Sequence, residues 1–516
     1  MPFVSNLGIA FQEVVRMHED RTALLYNSGG GRVSYKALAA LSNAVARALI
    51  ARDVPRGSVI AIFHDKSALA FATMLACLQA GVTYTILDPD SPWARLEKIL
   101  STCQPDLIIS GFAQMPFEAQ LREGGYSRFM RLQTEVNAPH YNEIPLSKEV
   151  VGSTPAYIMF TSGSTGNPKG AVMSHANLLW FIQWAQDRFN ITPDDVLTNV
   201  NPIYFDNSVF DFYSAIFTGA TLVPLTSEEV RSPRTLVHRI NSAACTVWFS
   251  VPSLLVYLLT TRAISSSDFP KIRKIIFGGE GFPKVKLKQL YDLFAGRSEL
   301  ENVYGPTECT CICSAHTITP SDFDDMKNLA TLGPLSQNFD FEILPQDASN
   351  PLFGELFLRG PHVGLGYFND PERTSKAFVQ NPNHNRYTDI GYKTGDLVQV
   401  DASGNLHFRG RIDFQIKHMG YRIELEEIEA ALGTIPYVRE CAVIYHRTPD
   451  GFGQILAYVA AGAQVNQNEI IESVSKIVPA YMVPRSVQIL QSLPKNANGK
   501  IDRVALKTLV EQPGQV

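Results

Sequence analysis

Residues Tyr157 to Gly170 read YIMFTSGSTGNPKG, a β-branched and aromatic run feeding a loop of glycine, serine and threonine with Lys169 near its far end. Glycine at 163, 166 and 170 lets the backbone turn tightly and approach a ligand. The hydroxyls and amide N–H groups of Thr161, Ser162, Ser164 and Thr165 then point inward as donors to an anion. That chemistry is phosphate binding. The common nucleotide-binding lysine loop has two glycines four residues apart followed by Lys-Ser or Lys-Thr, and Gly166-Asn167-Pro168-Lys169 breaks that spacing. Nor is the loop GxGxxG, so nicotinamide and flavin are not indicated. An ordinary Ser/Gly surface loop is the competing reading.

Further groups of reactive residues follow along the chain. Asp206 and Asn207 stand between Phe205 and an apolar helical stretch containing Val209, Phe210, Phe212 and Tyr213. A carboxylate is costly to bury alone, so Asp206 either caps that helix or meets a cationic ligand. Asp211, one turn on, reads as a local salt-bridge or cap partner. Gly278-Gly279-Glu280 ends a strand and is a candidate cleft wall, because open α/β sheets place ligands at strand ends. In Val303-Tyr304-Gly305-Pro306-Thr307-Glu308, Tyr304 offers a flat ring for a purine and Thr307 a hydroxyl donor. Glu308 offers a hard oxygen for a magnesium ion accompanying phosphate. A tyrosine taken singly is usually core and a glutamate usually solvated, but their grouping in one turn favours function. Asp396, at the start of a strand, can accept both hydroxyls of a ribose. Asn498-Gly499 signals a tight turn that leaves Lys500 just beyond it, although a solvated lysine is the ordinary alternative. Cys309, Cys311 and Cys313 alternate as on one face of a strand; lacking a second ligand cluster, they read as buried small side chains and not as a metal site.

The elements that must position these residues follow from periodicity. Ser34 can cap a helix through Tyr35, Leu38, Leu41, Val45 and Leu49. Val59–Phe63, Val82–Leu87 and Asp106–Ser110 read as strands, with an apolar helix over Ala68–Leu78 between the first two. Residues 111–153 read as an irregular surface excursion. A second βα run has strands at Thr246–Phe249 and Lys274–Phe277, so the region is α/β with a largely parallel sheet. Beyond residue 330, short β segments punctuated by Gly, Pro, Asn and Asp suggest a small distorted barrel. From Phe414 a compact α+β unit is expected. With 516 residues, more than one domain is required. Apolar residues at 45% and charged residues at 18% fit a compact soluble protein. The formal net charge of −5 argues weakly against nucleic acid. Seven scattered cysteines fit a reducing compartment. No signal peptide is apparent at the N-terminus and the apolar stretch near Ala68 is too short to span a bilayer, so a cytoplasmic location without integral membrane contact is expected.

The ordered patches LDPDSPWARL, TSGSTGNPKG, YFDNSVFD, NVYGPTEC, YKTGDL, FRGRIDFQIKHMGYRIELEEIE and PKNANGKID resemble the AMP-forming adenylate superfamily over essentially the whole chain. That superfamily includes acyl-CoA synthetases, luciferases and non-ribosomal peptide synthetase adenylation domains. The resemblance implies an α/β N-terminal domain with a distorted β-barrel portion over residues 1–411, a hinge at 412–414 centred on Asp413, and a small mobile α+β C-terminal domain over 415–516. ATP and Mg2+ are the implied cofactors. Thr161, Ser162, Gly163, Ser164, Thr165, Gly166 and Lys169 would hold the β and γ phosphates, with Gly279 and Glu280 also lining the nucleotide site. Tyr304 would stack on adenine and Asp396 with Arg411 would grip the ribose. Thr307 would contact the α-phosphate, Glu308 would hold magnesium, and Lys500 would be the lysine that acts in adenylation.

By the same resemblance Asp206 would bind the α-amino group of an amino acid and Lys500 its carboxylate. The wall of the side-chain pocket is expected from Phe205, Asn207, Phe210, Ser250, Ile276, Gly278, Val303, Cys311 and Ile312, with Gly278 enlarging it. The implied activity is formation of an aminoacyl-AMP, then transfer to the phosphopantetheine thiol of a separate carrier protein; the enzyme is expected to be a monomer. D-alanine–carrier protein ligases are similar in FDNSVFDFY, IIFGGEGFPK and NVYGPTEC, but they generally have a cysteine where Gly278 stands. D-alanine or another small to medium amino acid is therefore one expectation. A non-ribosomal-type enzyme for an L-amino acid is the alternative, and a carboxylic acid–CoA ligase a third.

Overall fold

In the computed structural model, residues 6–26, 31–135, 149–347, 349–448, 453–461, 465–496 and 501–511 are described. The apolar run Val59–Phe63 and the β-branched and aromatic run Thr83–Leu87 are buried at every position, the pattern of strands covered on both faces. They lie in a seven-stranded sheet ordered Gly366–Tyr367, Lys169–Ser174, Pro155–Thr161, Thr83–Leu87, Val59–Phe63, Leu107–Ser110 and Phe129–Arg131. The pairings from Pro155–Thr161 to Phe129–Arg131 are all parallel. An eight-stranded sheet runs Ser314–Thr317, Glu299–Tyr304, Lys274–Gly278, Val247–Ser250, Val196–Asn199, Thr221–Pro224, Thr22–Leu25 and Arg32–Ser34. It is parallel except at its two outer pairs. The helix Ala68–Ala80 is buried almost all round, as its uniformly apolar sequence requires. Ser34, Ser67 and Ser174 sit in extended backbone and accept from N–H groups of the helices they precede.

A five-stranded antiparallel sheet supplies the barrel-like portion: Asp340–Pro345, Phe353–Arg359, Ile390–Val400 and Phe378–Gln380, with Leu406–Arg411 paired to Ile390–Val400. Asp396 lies in the middle of the strand Ile390–Val400 and not at its start. Residues 111–135 also depart from the expected surface excursion. They form a short helix, Glu118–Glu123, then the strand Phe129–Arg131 that extends the seven-stranded sheet, then the turn of helix Leu132–Glu135.

The chain forms two compact units. The first comprises residues 1–88, 103–160 and 170–412; the second comprises 89–102, 161–169 and 413–516. Within the second, Gln415–His418 pairs with Tyr421–Glu424, and a three-stranded sheet is made by Val438–Arg447, Gly453–Ala461 and Ser486–Leu490. The helices Leu425–Gly433 and Gln467–Ser475 bury Ile428, Leu432, Ile470 and Val474 against Val443, Ala457 and Val459. Each such side chain contributes about 1.5–3 kcal/mol on leaving water. Among the described residues no helix is long and apolar enough to cross a membrane.

Candidate functional site

The strand Glu299–Tyr304 ends on a turn that carries several of the predicted residues. Gly305 and Pro306 lead into a short 3-10 helix, Thr307–Cys309, followed by Thr310 and Cys311 in consecutive left-handed conformations, with φ of +57° and +71°. For side chains with a Cβ such backbone costs roughly 1–2 kcal/mol per residue. The turn is tight enough that a Cβ at Gly305 would lie 2.3 Å from the Cys311 carbonyl oxygen. This geometry also corrects the expected strand of alternating cysteines, because the next strand starts only at Ser314. The thiols are nevertheless buried, as expected. Among the described residues no cluster of three or more His, Cys, Asp or Glu could hold a metal ion.

Neighbouring elements hold the turn in place. Glu308 is fully buried and its Oε1 accepts from Tyr367 Oη at 2.7 Å. Its carbonyl accepts from the Gly364 N–H at 2.9 Å, and Thr310 Oγ1 donates to the His362 carbonyl at 2.8 Å. The segment carrying those groups is tied from its other side by Asn177 Nδ2, which donates to the carbonyls of Pro361 and Val363. Burial holds the His362 imidazole neutral, lowering it to about 4. Tyr367, His362 and Asn177 were not singled out from the sequence.

Tyr304 Oη donates to Asp396 Oδ2 at 2.6 Å, and Asp396 Oδ1 pairs with Arg411 on the adjacent strand, its register partner. Burial, and then Asp396, pushes the Tyr304 phenol well above its ordinary range, so it stays a neutral donor. The structure thus brings Tyr304, Asp396 and Arg411 together through residues about a hundred positions apart. A single carboxylate such as Glu308 fits magnesium when phosphate oxygens and water complete the shell.

Asp206 occupies the N-cap position of the helix Asn207–Ile216 without capping it. Its φ of −62° and ψ of −24° are already helical, whereas a capping side chain needs extended backbone to fold back on the first turn. The carboxylate instead accepts from Thr307 Oγ1 at 2.5 Å. Cys311 and Tyr157 both sense its charge; burial first, and Asp206 among the nearby groups, raises the thiol and the phenol. The neutral Cys311 thiol is a poor nucleophile.

Asn207 lies beside Gly279, its side chain 3.6 Å from where a Cβ would project, and Phe205 is half-buried next to it. Phe210 is fully buried, its ring edge-on to Phe189 and Phe249 in the main core. Ser250 Oγ accepts from Trp248 Nε1 and donates to the Val251 carbonyl, Ile276 is buried, and Ile312 follows the strained turn. Gly278 does not enlarge a cavity: a Cβ there would lie 2.4 Å from the Val303 carbonyl oxygen and 2.6 Å from its Cγ2. Glu280 Oε1 accepts from the Ser253 N–H at the start of the helix Pro252–Thr260, a capping contact from a distant residue.

Within the second unit, Gly166 turns the glycine-rich loop with φ of +78°, and its N–H donates to the Gly163 carbonyl. Lys98 Nζ donates to the Gly166 carbonyl at 2.7 Å. Ser162 Oγ donates to the Arg422 carbonyl at 2.6 Å and accepts from the Glu424 N–H; the Gly163 N–H donates to Glu427, which also pairs with Arg95. Lys169 lies 3.9 Å from Glu424. Thr161 Oγ1 is buried with no protein partner, a polar atom suited to a ligand. Ser164 and Thr165 are both exposed in the loop. Asp413 Oδ1 accepts from the Gln415 N–H. Lys495 and Ile501 form an isolated antiparallel bridge, while Lys500 lies outside the described residues.

Residues 11–368 match the family model of the AMP-binding enzyme, and residues 427–500 that of the AMP-binding enzyme C-terminal domain. The chain is 34% identical over 492 residues to an L-proline–[L-prolyl-carrier protein] ligase of Pseudomonas fluorescens, covering 93% of this chain and 94% of that protein. It is 30% identical over 497 residues to a D-alanine–D-alanyl carrier protein ligase of Bacillus thuringiensis, covering 94% and 96%. It is 32% identical to bacitracin synthase 1 of Bacillus licheniformis, over 96% of this chain but 9% of that protein. Among solved structures, a non-ribosomal peptide synthetase protein with adenylation and carrier domains superposes with a TM-score of 0.83 at 23% identity, covering 97% of this chain and 84% of that one.

Proposed function

Because the chain belongs to the AMP-binding enzyme family, we propose that it uses ATP to convert an amino acid to aminoacyl-AMP, releasing pyrophosphate, and passes the aminoacyl group to the phosphopantetheine thiol of a separate carrier protein. The observation that carries the amino-acid reading is Asp206: its carboxylate is not used as a helix cap and is presented beside Thr307. A substrate ammonium there meets a half-buried carboxylate, and a deaminated acid forfeits that charge-assisted contact.

The nucleotide roles are assigned by family resemblance. Tyr304 offers its ring to adenine, Asp396 with Arg411 takes the ribose, Thr307 meets the α-phosphate and the loop from Thr161 to Lys169 takes the β and γ phosphates. Magnesium, held at Glu308, would offset charge on the phosphates. Lys500 neutralises the repulsion between substrate carboxylate and α-phosphoryl group as the new bond forms. Catalysis is then positioning and charge neutralisation without a side-chain nucleophile. Asp413 is assigned as the hinge between a core of residues 1–411 and a C-terminal domain of 415–516, and the enzyme is read as a cytoplasmic monomer.

A second reading concerns the substrate. A cysteine at 278, as D-alanine–carrier protein ligases generally have, would put its Cβ against the Val303 carbonyl. This departure counts against D-alanine itself, and the relative at 34% identity carries a proline-specific name. The test is ATP–pyrophosphate exchange screened over L-, D- and β-amino acids and their deaminated counterparts. Exchange with amino acids alone is the expected result; exchange only with deaminated acids overturns the role of Asp206.

A further inference from the structure

Lys66, after the strand Val59–Phe63, is a long side chain in left-handed backbone, with φ of +59°. Its N–H donates to His64 Nδ1 at 2.9 Å. Its ammonium donates to three carbonyls, of Asn199 at 2.9 Å, Asn201 at 2.9 Å and Leu225 at 2.8 Å. These mark the ends of the neighbouring strands Val196–Asn199 and Thr221–Pro224 in the eight-stranded sheet, whereas Lys66 follows a strand of the seven-stranded one. The two asparagines use their side chains on another partner: each Nδ2 donates to Asp211 Oδ2 at 3.0 Å, and that of Asn201 also to the Phe249 carbonyl. Asp211 is fully buried, and its Oδ1 has no hydrogen-bond partner. Burial pushes the Asp211 carboxyl up and the Lys66 ammonium down; each charge opposes the shift of the other, with Glu229 also supporting the ammonium.

Asp206 immediately precedes the helix Asn207–Ile216 and Asp211 lies in its middle, five residues and about 7.5 Å of helix rise further on. Anchoring Asp211 fixes the height and rotation of that helix, and with them the placement of Asp206. We propose that Lys66 and Asp211 form a positioning pair for amino-acid binding, locking the helix Asn207–Ile216 to the strand ends so that Asp206 meets the substrate ammonium; this rests on the reading of Asp206 given above.

The test uses the full chain with Lys66→Met, Lys66→Arg, Asp211→Asn and the Lys66→Met/Asp211→Asn double variant. Pyrophosphate exchange is measured while titrating ATP and the amino acid that supports wild-type exchange, with thermal unfolding followed in parallel. Lys66→Met is expected to raise the amino-acid KM about tenfold or more while the ATP KM stays within about twofold, since it removes the ammonium that holds the Asn199 and Asn201 carbonyls and the nearby positive charge that supports the buried Asp211 carboxylate. Lys66→Arg keeps the cation and should retain most of the wild-type KM. The double variant should recover part of the loss because neither charge is then left alone. Earlier unfolding of Lys66→Met with both KM values unchanged overturns the proposal. Should Lys66→Met fail to fold, Asp211→Asn decides: a selective rise in amino-acid KM supports the pairing and an unchanged KM refutes it. Asp206→Asn is assayed separately against a deaminated acid. If the preference for the amine survives in that variant, the ammonium reading falls; if it is lost while Lys66→Met and Asp211→Asn behave as wild type, only the positioning pair falls.

Discussion

Asp396→Asn separates what the Tyr304–Asp396–Arg411 group does for the fold from what it does for the nucleotide. The carboxylate is 3% exposed, accepts from Tyr304 Oη at 2.6 Å through one oxygen and pairs with Arg411 through the other. An amide has one acceptor oxygen, so one of the two donors loses its partner. A hydrogen bond to a charged group contributes about 1.5–3 kcal/mol, and breaking a buried ion pair costs about 3–5 kcal/mol. Because Arg411 keeps the Thr394 carbonyl at 3.1 Å, the lower half of that range, about 3–4 kcal/mol, is expected in urea denaturation. Tyr304→Phe, which spares the ion pair, should cost about 1.5–3 kcal/mol. The ribose role is read from kcat/KM with ATP against 2′,3′-dideoxy-ATP. The wild type should favour ATP by at least about 100-fold, the lower end for two hydrogen bonds to a carboxylate, and Asp396→Asn should remove most of that preference. An unchanged ATP preference in a destabilised variant would show that Asp396 serves the fold alone. A variant as stable as the wild type would refute the pairing energetics.

Other substitutions test other steps. Gly278→Ala should lower stability by about 1–3 kcal/mol, since strand Glu299–Tyr304 must move to admit the Cβ, and a urea midpoint equal to that of the wild type would refute the close approach. Lys500→Ala should abolish pyrophosphate exchange while sparing transfer from supplied aminoacyl-AMP to the carrier; equal loss of both steps would sink the assignment. Asp401 accepts from His407 Nε2 at 2.8 Å and from the N–H groups of Asn405 and Ser403, which hold its carboxyl well below the usual range. A depressed folded-state value means stabilisation that is full above the ordinary carboxylate pKa and is lost as pH falls through the folded value. The stability gap between wild type and Asp401→Asn should therefore be widest near neutrality and shrink below about pH 4; a gap independent of pH contradicts this.

Local sequence pattern was sufficient for the elements and for the residues that stand together in one turn. The buried runs at Val59–Phe63 and Lys274–Gly278, the Ser34 cap and the antiparallel segments after residue 330 all follow from short-range periodicity. What local pattern cannot supply is the partner across the fold. Tyr367 meets Glu308 at a separation of 59 residues and Lys66 meets Asn199 at 133, so neither could be assigned a role from its neighbours. The three cysteines failed for a different reason. Alternation predicts a shared face only if the backbone is extended, and left-handed Thr310 and Cys311 break that condition. Gly278 shows the same limit: absence of a side chain reads as space until the Val303 backbone is found occupying it.

Asp206 shows why backbone conformation, and not residue type, decides the use of a side chain. Asp and Asn are among the best helix caps, and Asp206-Asn207 precedes a helix as Ser34, Ser67 and Ser174 do. Those serines have ψ between 160° and 167°, which aims the side chain back at the first turn. At Asp206 ψ is −24°, so the helical path has already begun, and the carboxylate is directed to Thr307. The helix must then be held by something other than a cap at its start. Asp211 supplies that hold through Asn199 and Asn201, whose carbonyls in turn receive Lys66. Because the buried aspartate holds the helix, the half-buried one is not needed as its cap, and this is what the proposed role in recognising an ammonium builds on.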